Sequence, residues 1–170
     1  MLRSIFLVKL EVAVAERGDR EQLVSDVIGA LTGWTVAVVQ FNAMVADRMQ
    51  VTETGLQCLY ELARHGPSTP GELAKRVNLT SGAASRMVER LHAAGYVRRV
   101  PDPGDRRRVL VEPTVESLER ISSYYTPLTD RLRGHLADLD EGHLARFLRF
   151  AVEAQRSTDV EIRTLGRMED

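Results

Sequence analysis

The side chains in this sequence that are best suited to binding a ligand are arginines grouped in one short segment, together with nearby hydroxyls. Arg86 and Arg90 stand four residues apart, and the wider set includes three consecutive arginines. A guanidinium binds phosphate oxygens and can hold guanine through two hydrogen bonds, while hydroxyls bond to phosphates or bases. This combination favours contact with a nucleic-acid duplex. The candidate DNA contacts are Thr80, Ser81, Ser85, Arg86, Arg90, Arg106, Arg107 and Arg108.

The distribution of charge supports this interpretation, although the net charge of the chain is only −1. Residues 75–111 contain nine basic and three acidic side chains, whereas the segments on either side of them are acidic. A run of charges is usually no more than a solvated face. Here the positive charge coincides with the segment that also carries the hydroxyls, so we expect it to face phosphates.

No arrangement typical of an enzyme is found in the sequence. It has no glycine-rich phosphate loop, no serine nucleophile motif and no cysteine–histidine signature. The four histidines lack the spacing of metal ligands, although His135 and His143 could approach each other across a helix turn. We therefore expect no catalytic residue, no metal and no cofactor.

The cysteine content and the hydropathy of the chain indicate which cellular compartment to expect for the protein. A single cysteine excludes an internal disulfide and fits a reducing cytosol. No apolar run is expected to reach the roughly 20 residues of a membrane-spanning helix. Residues 2–14 are fairly apolar, but Lys9 and Glu11 interrupt them, so we interpret residues 1–20 as an N-terminal extension rather than a signal peptide. We expect a cytoplasmic protein without a membrane partner.

Local signals predict two short helices separated by a turn. Thr69 precedes Pro70, which is the order of an N-cap and a first helical residue, and Asn78 interrupts the first helix. Thr80 is placed to cap the second helix, and Gly95 follows it where a C-terminal glycine belongs. The apolar residues of the second helix recur at helical spacing, which leaves its hydroxyls and arginines on the opposite face.

Two short strands follow, at Tyr96-Val97 and Val109–Val111, on either side of an arginine-rich turn. A helix, a turn, a helix and a basic hairpin together make a winged helix-turn-helix. Asp105 lies in the turn. We expect it either to orient a wing arginine through an ion pair or to act as a plain turn aspartate.

The sequence resembles the MarR-type (multiple antibiotic resistance regulator) winged-helix regulators over roughly residues 21–155. Four runs carry the resemblance, namely VTETGLQCLYELARHGPSTPGELAKRV, SRMVERLHAAGYVRR, DPGDRRRVLV and PTVESLERI. The wing pattern of the family is Asp-x-Arg-Asp-x-Arg. Asp102, Asp105 and Arg107 match it, while Gly104 stands at the middle arginine, with Arg106 and Arg108 close by.

Long apolar helices are predicted on both sides of this module, from residue 21 to about 49, from 114 to 136 with a kink at Pro127, and from about 141 to 156. Together they have more apolar surface than one subunit can bury. The resemblance implies that such helices intertwine as a two-fold dimer. The predicted organisation is a dimerisation helix at 21–51, a DNA-binding domain at 52–112, C-terminal dimerisation helices at 113–156 and a tail at 157–170.

The resemblance also implies a small aromatic or apolar effector bound where the dimer helices meet the winged domain. Aromatic residues at helical spacing are more often core residues, so both roles stay open for Trp34, Phe41, Tyr60, Tyr124 and Tyr125. Cys58 lies on the apolar side of its helix without a basic neighbour, which favours core packing over redox sensing.

We therefore expect a mainly α protein with a small β-hairpin wing, a winged helix-turn-helix with N- and C-terminal dimerisation helices. Its expected function is that of a ligand-responsive repressor which binds a pseudo-palindromic operator as a homodimer. The alternative is a winged-helix protein–protein interaction module that does not bind DNA.

Overall fold

The computed structural model describes residues 20–105 and 107–167, with only the backbone described at Arg167. The predicted N-terminal extension, apart from Arg20, and the candidate Arg106 lie outside these residues. The described chain is mainly α with one two-stranded hairpin, as predicted, and divides into two compact units at Thr114. Its elements are α1 (Arg20–Met49), α2 (Glu53–His65), α3 (Pro70–Arg76), α4 (Ser81–Ala93), β1 (Val97–Pro101), β2 (Val109–Pro113), α5 (Val115–Leu136) and α6 (Glu141–Arg167).

The caps that define α3 and α4 are those predicted. Thr69 and Glu72 form a reciprocal capping box, in which each side chain accepts a hydrogen bond from the other residue's backbone N–H. The Thr80 hydroxyl accepts from the Ala83 N–H at 3.3 Å. Gly95 has φ of 78°, a left-handed conformation that lets the chain leave α4 and enter β1 directly. Local sequence is therefore enough to define the helix-turn-helix.

The hairpin is antiparallel, with Val97 opposite Pro113 and Pro101 opposite Val109. A third segment joins it, because Ser68 and Val111 exchange backbone hydrogen bonds of 3.0 and 2.9 Å. This bridge was not predicted, since Ser68 lies in a turn rather than in an apolar run. It fixes the base of the hairpin to the connection between α2 and α3.

The core of the N-terminal unit lies between α2, α3, α4 and the hairpin, with the last turn of α1 packed into it. Met49 is fully buried there, and its carbonyl accepts a hydrogen bond from the Tyr96 hydroxyl. The other large side chains that are fully buried include Leu59, Leu62, Leu73, Val88, Leu91, Val97 and Val111. This core fixes the position of α4 relative to the hairpin.

Cys58 is fully buried in this core. Burial, with a smaller contribution from the negative charge of Glu61, raises the pKa of the thiol to about 11. The expectation of core packing is therefore supported, because only the thiolate is a reactive nucleophile.

We expect the Cys58 thiol to react with a thiol reagent at neutral pH on the order of 100-fold more slowly than a free cysteine, since thiolate falls about tenfold per pKa unit. The same pKa difference makes stability depend on pH. Because the pKa of the Cys58 thiol is higher in the folded state than in the unfolded one, its contribution to the free energy of unfolding is complete below pH 9.0 and is lost as pH rises towards 11. Labelling with and without denaturant tests the first point. Denaturation from pH 8 to 11, with Cys58→Ala as the control, tests the second; equal slopes for both proteins would contradict it.

Helix α1 has apolar side chains on more than one side. Leu31, Val38 and Phe41 are partly covered, but apolar side chains also lie exposed on its other sides, among them Val24, Ile28, Val36, Val39 and Met44. A helix that is apolar all round is normally buried in a larger assembly. The described part of the N-terminal unit covers only its final turns.

Helix α1 also corrects the expectation about apolar runs. Residues 27–46 contain no charged side chain, and the helix is long and apolar enough, by length and composition only, to cross a membrane. Such a finding in one helix is weak evidence, because helices buried inside proteins pass the same test. The burial of Val45, Ala46 and Met49 against protein shows that its C-terminal end belongs to the winged domain.

The C-terminal unit consists of α5 and α6. Asp140 caps α6, since its carboxylate accepts from the His143 N–H at 2.8 Å. The helix predicted to end at about residue 156 is longer than expected, because α6 continues to Arg167. Apolar side chains are widely exposed on this unit, and an apolar groove is lined by Leu136, Leu144, Ala145, Phe147, Leu148 and Ala151.

Candidate nucleic-acid interface

Helix α4 has one buried and one solvent-facing side. Ala84, Met87, Val88 and Leu91 are buried, and the face away from them is exposed. The exposed residues include the predicted contacts Thr80, Ser81, Ser85, Arg86 and Arg90. The helix therefore offers hydroxyls at its N-terminal end and guanidinium groups one to two turns later.

Gly82 lies at the centre of this exposed face and was not among the predicted contacts. Apart from its chain neighbours and the adjacent backbone of α4, the one atom of the described residues within 4 Å of a Cβ added there is Arg86 Nη1, at 3.6 Å. The missing side chain leaves the backbone of the first turn open to a ligand. The signal in the sequence was the helical spacing of Gly82 and Arg86, which places them next to each other.

Arg86 and Ser85 differ in how the subunit holds them. The Ser85 hydroxyl donates to the Ser81 carbonyl at 2.9 Å, so its oxygen still has acceptor capacity. Within the described chain, the Arg86 guanidinium has no hydrogen bond or ion pair, which leaves its donors available. Arg90 has only a weak contact, 3.8 Å from Nη2 to the Met87 sulfur.

Several other cations are neutralised by acidic partners. Arg98 pairs with Glu112 directly across the hairpin at 2.6 Å, and Arg99 pairs with Glu89 of α4. The second pair ties the exposed face of α4 to β1. It explains why an acidic residue is tolerated on a face that is otherwise basic.

The wing turn is organised by two aspartates. Asp105 accepts a hydrogen bond from the Arg107 backbone N–H at 3.0 Å, and its carbonyl accepts from the Arg108 N–H at 2.8 Å. These contacts fit the plain turn aspartate of the two expected roles. The aspartate beside a described wing guanidinium is instead Asp102, whose Oδ2 lies 3.6 Å from Arg108 Nη1.

The side chain of Arg108 is directed to acidic partners in the protein. Its Nη2 donates to Glu72 Oε1 at 3.1 Å, which joins the wing to the first turn of α3. The pKa of Glu72 is lowered, first by the hydrogen bond from the Thr69 backbone N–H and to a lesser degree by Arg108. The side chain of Arg107, by contrast, is exposed and has no ion pair with any described residue.

The predicted aromatic residues do not form one site within either unit. Trp34 and Tyr60 are 50% and 58% exposed, and Phe41 is partly covered. Tyr124 and Tyr125 belong to the other unit and are also partly covered. The apolar groove of the C-terminal unit is lined by neither tyrosine.

Metal-ligand spacing was not found in the sequence, and the described residues contain no group of three or more His, Cys, Asp or Glu side chains that could hold a metal ion. His143 contacts the Asp140 carboxylate at 2.8 Å, which is a helix-capping contact.

The helix-turn-helix, its exposed basic face and the adjoining hairpin define a winged helix-turn-helix fold. The sequence model of the MarR family matches residues 50–108, which span α2, α3, α4, β1 and the wing turn. Over this segment the chain is similar to the MarR family, whose members are transcriptional regulators and not enzymes.

Individual proteins are also similar to this chain. The chain is 29% identical over 152 residues to the HTH-type transcriptional regulator YcgE of Bacillus subtilis, covering 89% of this chain and 99% of YcgE. It is 43% identical over 65 residues to the HTH-type transcriptional repressor NicR of Pseudomonas putida, covering 38% of this chain and 41% of NicR. A MarR family protein from Bacillus stearothermophilus has the same fold, with a TM-score of 0.62 and 18% identity over 84% of this chain and 99% of that one.

Proposed function

We propose that this protein is a homodimeric, ligand-responsive repressor which binds a pseudo-palindromic operator with α4 in the major groove and the wing beside it. The single observation that carries the proposal is the exposed face of α4. It combines an open backbone at Gly82 with the hydroxyls of Ser81 and Ser85 and the available guanidinium of Arg86. A recognition helix reads base edges with the residues near its N-terminus, where these groups lie.

The exposed apolar surface of the outer helices supports a dimer. On α6, Phe147, Leu148, Ile162 and Leu165 are 47–63% exposed and lie on one side of the helix by their spacing. Exposed apolar area of this extent marks an interaction surface. Helix α1 is apolar on all sides, and its polar Thr32, Thr35, Gln40 and Asn42 suit packing between protein helices.

A two-fold dimer would give the interface its specificity. It presents two copies of α4 to half-sites about one helical turn apart, so that the two binding free energies combine on one operator. Occlusion of a promoter needs only tight binding, which favours repression over activation. An effector that binds more tightly to the arrangement unable to span two half-sites would weaken DNA binding by its difference in affinity.

Selection of DNA from a random pool at moderate salt tests the proposal. We expect a pseudo-palindromic consensus and an affinity that falls steeply as salt increases. Repetition with candidate aromatic acids tests the response to a ligand. Enrichment of no sequence, with binding that is weak and independent of salt, would reject the DNA-binding proposal and favour a protein–protein module.

Gly82→Ala should separate stability from DNA binding. Among the described side chains the added methyl meets only the flexible end of Arg86 at 3.6 Å, and alanine is the better helix former, so the melting temperature should stay equal or rise slightly. If the backbone of the first turn approaches the bases, operator affinity should fall about tenfold or more. Thermal melts and fluorescence anisotropy measure the two effects. Gly71→Ala, on the exposed side of α3, is the matched control; unchanged affinity in Gly82→Ala would place this turn away from DNA.

A further inference from the structure

We propose that Glu72 is a positioning residue for the wing and acts through Arg108, so that Arg108 orients the wing instead of contacting phosphate. The inference rests on the proposed function, since it concerns how the wing meets DNA. Glu72 belongs to α3 and Arg108 to the wing, 36 residues apart in sequence, and their side chains meet at 3.1 Å.

The first step of the argument is that Glu72 is itself held in place. Its Oε2 accepts from the Thr69 N–H at 2.8 Å, while the Thr69 hydroxyl accepts from the Glu72 N–H at 3.2 Å. Because the reciprocal pair fixes the carboxylate on the first turn of α3, its other oxygen, Oε1, offers Arg108 a well-placed acceptor.

The second step is that Arg108 is joined to the wing turn on its other side. Nη1 lies 3.6 Å from Asp102 Oδ2, and the Arg108 carbonyl accepts from the Asp102 N–H at 3.1 Å. Asp102 Oδ1 in turn accepts from the Gly104 N–H at 2.8 Å. A chain of contacts therefore runs from the capping box of α3, through Arg108, to the turn that presents Arg107.

The third step concerns how the hairpin is attached to the rest of the N-terminal unit. The base of the hairpin is fixed by the bridge between Ser68 and Val111, and the Ser68 hydroxyl is held by Arg76 Nη1 at 2.7 Å. That bridge lies in β2 and does not reach the wing turn. The Arg99–Glu89 pair joins β1 to α4, and among the described residues the contact of Glu72 with Arg108 joins the outer part of the wing to α3.

For Glu72→Gln, the proposal and simple electrostatics predict changes of operator affinity in opposite directions. Glutamine at the third helical position preserves the capping box, so the fold is retained. Loss of a negative charge near DNA should by itself tighten binding. Loss of the contact between residue 72 and Arg108 should weaken DNA binding. Loss of a surface ion pair lowers affinity by up to about fivefold per subunit. A dimer with two wings should therefore lose about three- to twentyfold in operator affinity.

The experiment is a double-mutant cycle of Glu72→Gln and Arg108→Gln, measured by fluorescence anisotropy over a range of salt concentrations. We expect each single change to weaken binding, the double change to be no weaker than either, and the salt slope to stay unchanged. Glu53→Gln, in the first turn of α2, controls for loss of an exposed glutamate. Equal thermal melts exclude a general loss of structure.

The following outcomes would overturn the inference. Tighter binding by Glu72→Gln, or a salt slope smaller by about one per subunit in Arg108→Gln, would make Arg108 a phosphate contact. Arg107→Ala distinguishes this from failure of the proposed function. If Arg107→Ala lowers the salt slope while the cycle shows no coupling, the wing binds DNA but Glu72 does not position it. If none of the wing variants changes binding, the proposed role of the wing in DNA binding fails.

Discussion

Leu148→Glu is expected to convert the proposed dimer to monomers and to weaken operator binding by about 100-fold or more. The Leu148 side chain is 63% exposed in the subunit and lines the apolar groove formed by α5 and α6. If a second copy covers this surface, the substitution places a carboxylate in an apolar interface without a partner, which is costly. Light scattering coupled to size-exclusion chromatography measures the mass, and anisotropy measures the affinity.

Ser157→Glu provides the matched control on the same helix. It introduces the same charge at an exposed position that helical spacing places on the side away from Leu148. This variant should stay dimeric and bind the operator normally. A Leu148→Glu protein that remained dimeric would show that this face of α6 is not the interface.

Arg86→Ala is expected to cost about 1–3 kcal/mol per half-site and to relax the preference at one base pair. Arg86 sits one turn into the exposed face of α4, and within the described chain no hydrogen bond or ion pair occupies its guanidinium. Substitution of a residue that reads a base changes specificity, whereas substitution of a residue that binds phosphate weakens binding to all sequences equally. Repeating the selection of DNA with the variant distinguishes these two roles.

Arg64→Ala is a suitable comparison, because Arg64 is an exposed arginine at the end of α2 in the same unit. It should leave the selected consensus unchanged. If Arg86→Ala weakened every sequence equally and kept the consensus, Arg86 would be assigned to the phosphate backbone.

The predicted elements were right wherever the deciding interactions are local. Thr69, Thr80 and Gly95 act on neighbours within a few residues, so their types and spacing were enough to predict where α3 begins and where α4 begins and ends. The exposed face of α4 followed in the same way from the spacing of its apolar residues. Gly82 was overlooked because the absence of a side chain carries no charge or hydropathy signal.

The roles assigned to individual wing residues depended on contacts between distant parts of the chain. Consecutive arginines look equivalent in sequence, yet Arg108 meets Glu72 and Asp102 while Arg107 has no ion pair with any described residue. Likewise Asp105 binds a backbone N–H, and it is Asp102 that lies beside the Arg108 guanidinium. Rotamers and the path of the turn decide such pairings, and neither follows from composition.

The amino-acid sequence alone determined the helix-turn-helix, the hairpin and the concentration of positive charge around them, because caps, apolar spacing and charge are properties of neighbouring residues. Tertiary structure decided which arginines remain available, since ion pairs such as that of Arg99 with Glu89 form only when α4 and β1 pack together. It also revealed that α1 is apolar on all sides and that α6 continues to Arg167. Burial depends on what the rest of the fold covers, and a linear pattern does not contain that information.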